Sequence, residues 1–290
     1  FDTTLRAEEK LDVYLNGDQN GAGTSGNIVI TGGGATAVSE GIAGKAAKSS
    51  ALAALRAEDI IILGVKGGTP IVTQNPERQT VNPLLPYTSN SSNIILKGGT
   101  ATSNTAAGGG ALAAADALIL GILSKFVDIG GNIELTGGTA DSKGGGQTSA
   151  AAKIDPVNLR INTGGYIKLI GGEGAGARAA IVNSGDMEIN IGGKFDYTYP
   201  AATGTHTVKD VGLLLAGGIG SGLFDRNNQP IKLYYDPSAQ VLLLFPAING
   251  GAGGGAYFMH TDVSKASAFV QSLSARGFDD SLMAYIIFAA

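Results

Sequence analysis

Short runs in which apolar and polar residues alternate recur along the chain, and each run closes on two glycines. In Gly131-Asn132-Ile133-Glu134-Leu135-Thr136-Gly137-Gly138 the aliphatic Ile133 and Leu135 alternate with Glu134 and Thr136. A period of two is that of a β-strand, whose successive side chains point to opposite faces, and a glycine pair bends the chain out of it. Near copies are Gly26-Asn27-Ile28-Val29-Ile30-Thr31-Gly32-Gly33, Asn93-Ile94-Ile95-Leu96-Lys97-Gly98-Gly99 and Gly165-Tyr166-Ile167-Lys168-Leu169-Ile170-Gly171-Gly172. Looser ones are Glu58 to Leu63, leading to Gly67-Gly68, and Asp186 to Ile191, leading to Gly192-Gly193.

First glycines at 32, 67, 98, 137, 171 and 192 set irregular intervals within the range of solenoid repeats, so a constant strand with variable loops is expected. Stacked in parallel, the pairs Ile28/Ile30, Ile60/Ile62, Ile94/Leu96, Ile133/Leu135, Ile167/Leu169 and Met187/Ile189 form one inner ladder. The residues between them face out: Val29, Ile61 and Ile95, then Glu134, Lys168 and Glu188. The charged three are expected to alternate in sign on neighbouring rungs about 4.8 Å apart. The apolar three need a cover, and Ala/Leu-rich Gly44 to Ala57 and Ala111 to Val127 predict helices inserted between rungs.

Beyond Gly193, Val211 to Ala216, Ile231 to Tyr235 and Val241 to Phe245 read as strands, Thr261 to Ala275 as an amphipathic helix, and Leu282 to Phe288 as an apolar strand. The expected fold is therefore mainly β: a right-handed parallel β-helix over 1–218, with helical insertions at ~43–57 and ~105–128, and a C-terminal α/β cap over 219–290.

Composition narrows the picture. The 46 glycines mark turns, since the 9 prolines and the lack of a Gly-X-Y period exclude collagen. Charged residues are only 15% and the net charge is −4, with no basic patch for nucleic acid. Apolar runs fall far short of the ~20 residues of a membrane-spanning helix, so a soluble protein or assembly is expected. The absence of Cys excludes disulfides and thiolate metal sites. A start at Phe1 suggests a processed chain or an excerpt of a longer precursor, a hint of export.

The units at 26–34, 131–140 and 165–174 resemble the rungs of filamentous-haemagglutinin-type right-handed β-helices in large bacterial exoproteins and adhesins. The resemblance covers residues ~26 to 218 and excludes the amino-terminal secretion module of that family. It implies an elongated extracellular or cell-surface structural role, with no catalytic residues to carry over.

Chemistry-bearing patterns are sparse. The glycine loops at 171–176 and 217–222 lack the Lys-Ser/Thr of a phosphate-binding loop, and no calcium nonapeptide array or Gly-x-Ser-x-Gly elbow occurs. Neither His206 nor His260 has a second ligand beside it, so surface or packing roles are expected for both and no metal site. Glu134, Asp186 and Glu188 with Lys168 and Arg160 are the best set for polysaccharide cleavage, set against a solvated ladder of alternating charge. Phe195, Tyr197 and Tyr199 alternate onto one strand face and are candidate glycan contacts, set against core packing. No cofactor is expected. The expected function is a non-enzymatic fibre, filament or adhesin-shaft subunit that self-associates through Val29, Ile61 and Ile95 and the tail residues Leu282, Tyr285, Ile286, Ile287 and Phe288. The alternative is a polysaccharide-binding or polysaccharide-cleaving β-helix.

Overall fold

The computed structural model describes residues 3–15, 26–39, 46–63, 92–106, 110–144, 146–174, 176–183, 185, 187–191, 193–201, 204–216, 233–236, 241–244 and 256–260. The chain passes repeatedly through four sheets in the same order. The first circuit is β1 (Thr3–Arg6) and β2 (Lys10–Tyr14) in the first sheet, then β3 (Ile28–Thr31), β4 (Gly34–Ser39) and β5 (Ala46–Ser50) in the second, third and fourth. The second is β6 (Ala53–Leu63), β7 (Ile94–Lys97), β8 (Thr100–Thr105) and β9 (Gly110–Ala114). The third is β10 (Ala117–Ile129), β11 (Ile133–Thr136), β12 (Thr139–Lys143) and β13 (Gln147–Ser149).

The fourth circuit has β14 (Ala152–Asp155), β15 (Asn158–Thr163) and β16 (Ile167–Ile170), and among the described residues it meets the third sheet through a bridge from Glu173 to Thr139 and not through a strand. The fifth has β17 (Ala179–Asn183) and β18 (Met187–Ile191), an antiparallel hairpin of β19 (Phe195–Ala201) and β20 (Gly204–Val211), and β21 (Leu213–Ala216). Beyond it, β22 (Leu233–Asp236) and β23 (Val241–Leu244) add to the second sheet and β24 (Ala256–His260) to the first. Pairing between circuits is parallel, and β22 alone of the second sheet's strands runs antiparallel to its neighbour. Parallel sheets stacked in circuit order are the arrangement of a β-solenoid.

Two interiors of different width run through the stack. Between the first and second sheets lies an aliphatic core in which Ile94, Leu96, Ile133, Leu135, Ile167 and Leu169 are fully buried. The predicted ladder is present here, with Ile28, Ile94, Ile133 and Ile167 in register. Between the third and fourth sheets the apolar core is alanine, with Ala35, Ala37, Ala101, Ala111, Ala113 and Ala140, and Ser39, Ser103 and Thr105 are buried on the inner positions of the third sheet beside it. Small side chains fill that layer, so these two sheets form a flange thinner than the aliphatic body.

This flange corrects the expected helical insertions. Gly44 to Ala57 carries β5 and the start of β6, and Ala111 to Val127 carries most of β9 and β10; no helix occurs among the described residues. Alanine's helix propensity is only a few tenths of a kcal/mol per residue better than most alternatives, and tertiary burial overrides it. Here the buried alanines recur at every second position, Ala111, Ala113, Ala115 and Ala117, a strand period. The expected C-terminal helix and apolar tail strand lie outside the described residues.

The ladder also divides. Ile60 and Ile62 stand in register with Lys125 and Val127, which stand in register with Leu159 and Ile161, and these with Met187 and Ile189. That second ladder belongs to the first sheet, on the opposite side of the aliphatic core. A single local pattern therefore occurs in two sheets of one circuit, which is why equal weight on every glycine pair misjudges the repeat length.

Candidate functional site

Glycine pairs build two different corners. At the bend from the second sheet to the third, the second glycine donates its N–H across the waist of the cross-section: Gly33 to the Ala51 carbonyl at 2.9 Å, Gly99 to Ala115 at 2.7 Å, Gly138 to Ala150 at 2.8 Å and Gly172 to Ala177 at 2.7 Å. The first glycine meets the alanine carbonyl of the following circuit, so a Cβ on Gly98 would collide with Ala150 and one on Gly137 with Ala177. Only glycine permits that approach. Gly193, by contrast, sits at the bend from the first sheet to the second, donating to Gly165 at 2.8 Å as Gly165 does to Gly131 at 2.9 Å.

At this second corner an asparagine ladder ties the circuits together. Asn27 Oδ1 accepts from the backbone N–H and side-chain Nδ2 of Asn93 at 2.9 and 3.1 Å. Asn93 Oδ1 accepts from the N–H of Asn132 at 2.7 Å, and Asn132 Oδ1 from the N–H of Tyr166 at 3.0 Å. Tyr166 has no side-chain amide to accept from the next circuit, and the ladder stops there. A similar device at the bend from the fourth sheet to the first is Asp116, whose Oδ1 accepts from Ser149 Oγ at 2.6 Å and from the Ala151 N–H at 2.7 Å.

The outer face of the second sheet carries Val29, Ile95, Glu134, Lys168 and Leu214 in one register. Val29 is 63% exposed and Ile95 half-buried. Ile61 and Glu188 are not on this face. Ile61 is only 8% exposed and in register with Phe126 and Arg160 of the first sheet, and Glu188 stands in backbone register with Arg160 there. The expected Glu–Lys–Glu alternation is thus a single Glu134–Lys168 pairing in register, and the carboxylates considered for polysaccharide cleavage are split between two sheets. Asp186 and the tail residues Leu282, Tyr285, Ile286, Ile287 and Phe288 lie outside the described residues.

Leu214, on the same outer face, is buried because the β19–β20 hairpin folds over it. Phe195 and Tyr197 pack with Ile170, Val211, Leu214 and Ala216. Phe195 stacks on Tyr166 with ring centroids 4.2 Å apart and meets Tyr197 edge-on at 6.2 Å. Tyr199 occupies the same strand, opposite His206, and His260 ends β24. Tyr166 donates its hydroxyl to Glu134 Oε1 at 2.5 Å, and its pKa is pushed up to about 12 by burial, by that hydrogen bond and by the carboxylate's charge.

A residue the sequence reading passed over is Lys125. It occupies the inner ladder of the first sheet between Ile60 and Leu159, 2% exposed, and its Nζ donates to the Ile119 carbonyl at 2.6 Å. Burial lowers its pKa well below the ordinary lysine value, and the charge of Asp155 opposes that shift. Asp155 itself pairs with Lys153 at 2.5 Å. A register shift between Gly121 and Ser124 of β10, opposite β6, precedes Lys125 and makes the alternation of this strand unreadable from sequence.

No group of His, Cys, Asp and Glu among the described residues is arranged to hold a metal ion, and no helix there is long and apolar enough to cross a membrane. Comparison with family models, curated proteins and solved structures finds no match.

Proposed function

We propose that this chain is a structural β-solenoid of the filamentous-haemagglutinin kind, right-handed, extracellular or held at the cell surface, and that it serves as a subunit of a fibre, filament or adhesin shaft without catalytic activity. The observation that carries this reading is where the recurring residues are used. Each recurring feature, the aliphatic ladder, the glycine pairs and the corner asparagines, is consumed in joining one circuit to the next. Among the described residues, the carboxylates considered for polysaccharide cleavage, Glu134 and Glu188, lie on different sheets. A rod built from nearest-neighbour contacts extends by adding circuits, which is the mechanical property a shaft requires.

Self-association is the second half of the proposal. The apolar outer position Val29, with Ile95 beside it, offers a lateral surface for a neighbouring chain. Negative-stain electron microscopy together with sedimentation of the purified chain tests both halves: rods that lengthen or bundle with concentration are expected. Compact monodisperse monomers at every concentration, or release of reducing ends from a panel of polysaccharides, would overturn the reading.

A further inference from the structure

Hydrogen bonding between circuits has a direction, and it leaves a defined set of donors on the first circuit. In the second sheet the aliphatic residue that opens each strand donates toward the following circuit: Ile28 to Asn93, Ile94 to Asn132 and Ile133 to Tyr166, each at 2.9 Å. The residue just before it donates the other way, to the asparagine side chain of the preceding circuit, as Asn93, Asn132 and Tyr166 all do. In the third sheet Thr100, Thr139 and Glu173 donate to the carbonyl of the second glycine of the preceding circuit, at 2.9 Å each. The corresponding groups of the first circuit are the N–H of Asn27 and the N–H of Gly34. Among the described residues neither has an acceptor, and β3 and β4 each pair on one side only.

In each circuit the asparagine side chain and the glycine carbonyl that satisfy these donors come from residues six apart: Asn27 and Gly33, Asn93 and Gly99, Asn132 and Gly138. The strand between them places two aliphatic side chains inward. A partner that completes the first circuit therefore needs that same pattern, in parallel: Asn, alternating aliphatics, then a glycine pair. The far end of the second sheet is different, because antiparallel β22 forms its edge.

Resting on the solenoid-subunit reading above, we propose that the face formed by β3 and β4 is a strand-accepting site, and that its occupant is a parallel Asn-aliphatic-x-aliphatic-x-Gly-Gly segment presented by a neighbouring solenoid chain. The site continues the interface that already joins β3 to β7 and β4 to β8, with backbone hydrogen bonds supplying affinity and the asparagine and glycine pair supplying register.

The test uses the full chain and a fluorescently labelled peptide of its own sequence from Ser92 to Ser103, which carries the pattern. Saturable binding by fluorescence anisotropy is expected. A peptide bearing Asn93→Leu should bind about fivefold more weakly, the worth of a typical hydrogen bond. One bearing Ile94→Lys should not bind, since it forces a charge into the ladder. On the protein, Gly34→Pro removes one of the two donors where a Cβ meets nothing within 4 Å, and should weaken binding about fivefold with an unchanged circular-dichroism spectrum. Absence of binding by the unmodified peptide, or equal binding by all three peptides, overturns the proposal. If rods form in the microscope while the peptide fails, the subunit reading stands and this face is not the joint. If the peptide binds while no rods form, the face is a strand acceptor on a chain that does not polymerise.

Discussion

At Gly137 a missing methyl group decides the geometry of a corner. The Ala177 carbonyl of the next circuit occupies the place a Cβ would need, so Gly137→Ala must move backbone, and a loss of about 2–4 kcal/mol is expected. Gly34 opens the third sheet with free space around its missing Cβ, and Gly34→Ala should cost less than about 0.5 kcal/mol. Urea midpoints of the two variants, measured side by side, check the contrast; equal effects would show that the waist is not close-packed. Lys125 makes the opposite case, a side chain present where an aliphatic one would serve. Its folded-state pKa lies below its unfolded value, so the unfolded chain holds the proton more tightly. The destabilisation is therefore complete below the lowered pKa and fades as pH rises toward about 10.5. Lys125→Met should raise stability at neutral pH by about 1–3 kcal/mol and flatten that rise, read from denaturation midpoints taken from neutral to alkaline pH.

Among the elements, the β19–β20 hairpin interrupts the fifth circuit, and Tyr166 ties it to the solenoid. Its ring stacks on Phe195, while its hydroxyl reaches Glu134 one circuit back. Tyr166→Phe keeps the stack and removes the hydrogen bond, so a loss of about 1 kcal/mol is expected in thermal or urea unfolding. Because the folded-state pKa is raised, the tyrosine's contribution is complete below about pH 10 and is lost as pH rises through about 12. Glu134→Gln should bring the phenol's absorbance titration back toward the ordinary tyrosine range; an unmoved midpoint would assign the shift to burial alone. Strand content in these elements was legible in the alternation of Ile133 and Leu135 with Glu134 and Thr136. The flange was not, because alanine satisfies both a helix propensity and a buried strand position, and only the width of the layer chooses between them.

On the scale of the whole molecule, a stack of circuits derives its stability from neighbour contacts, and its ends matter more than its middle. The second sheet ends in antiparallel β22 on one side and in β3, with parallel pairing to β7 alone, on the other. Growth by strand addition is then expected to be polar. In the microscope this predicts rods shortened by an excess of the Ser92–Ser103 peptide and unaffected by its Ile94→Lys form. Rod lengths that ignore both peptides would place the joint on lateral surfaces such as that of Val29.

The sequence by itself determined the strand period, the bends and one inner ladder, since alternation and glycine pairs act locally and leave their mark residue by residue. Ile28, Ile94, Ile133 and Ile167 needed no further information to be placed together. Tertiary structure decided what depends on which strands become neighbours. It sent Ile60 and Ile62 to the opposite wall of the core, set Gly193 at a different corner from Gly137, made strands of two alanine-rich segments, and enclosed Lys125 behind an irregularity in β10. Those outcomes follow from distances between residues far apart in the chain, and alternation, which registers only the next few positions, carries no record of them.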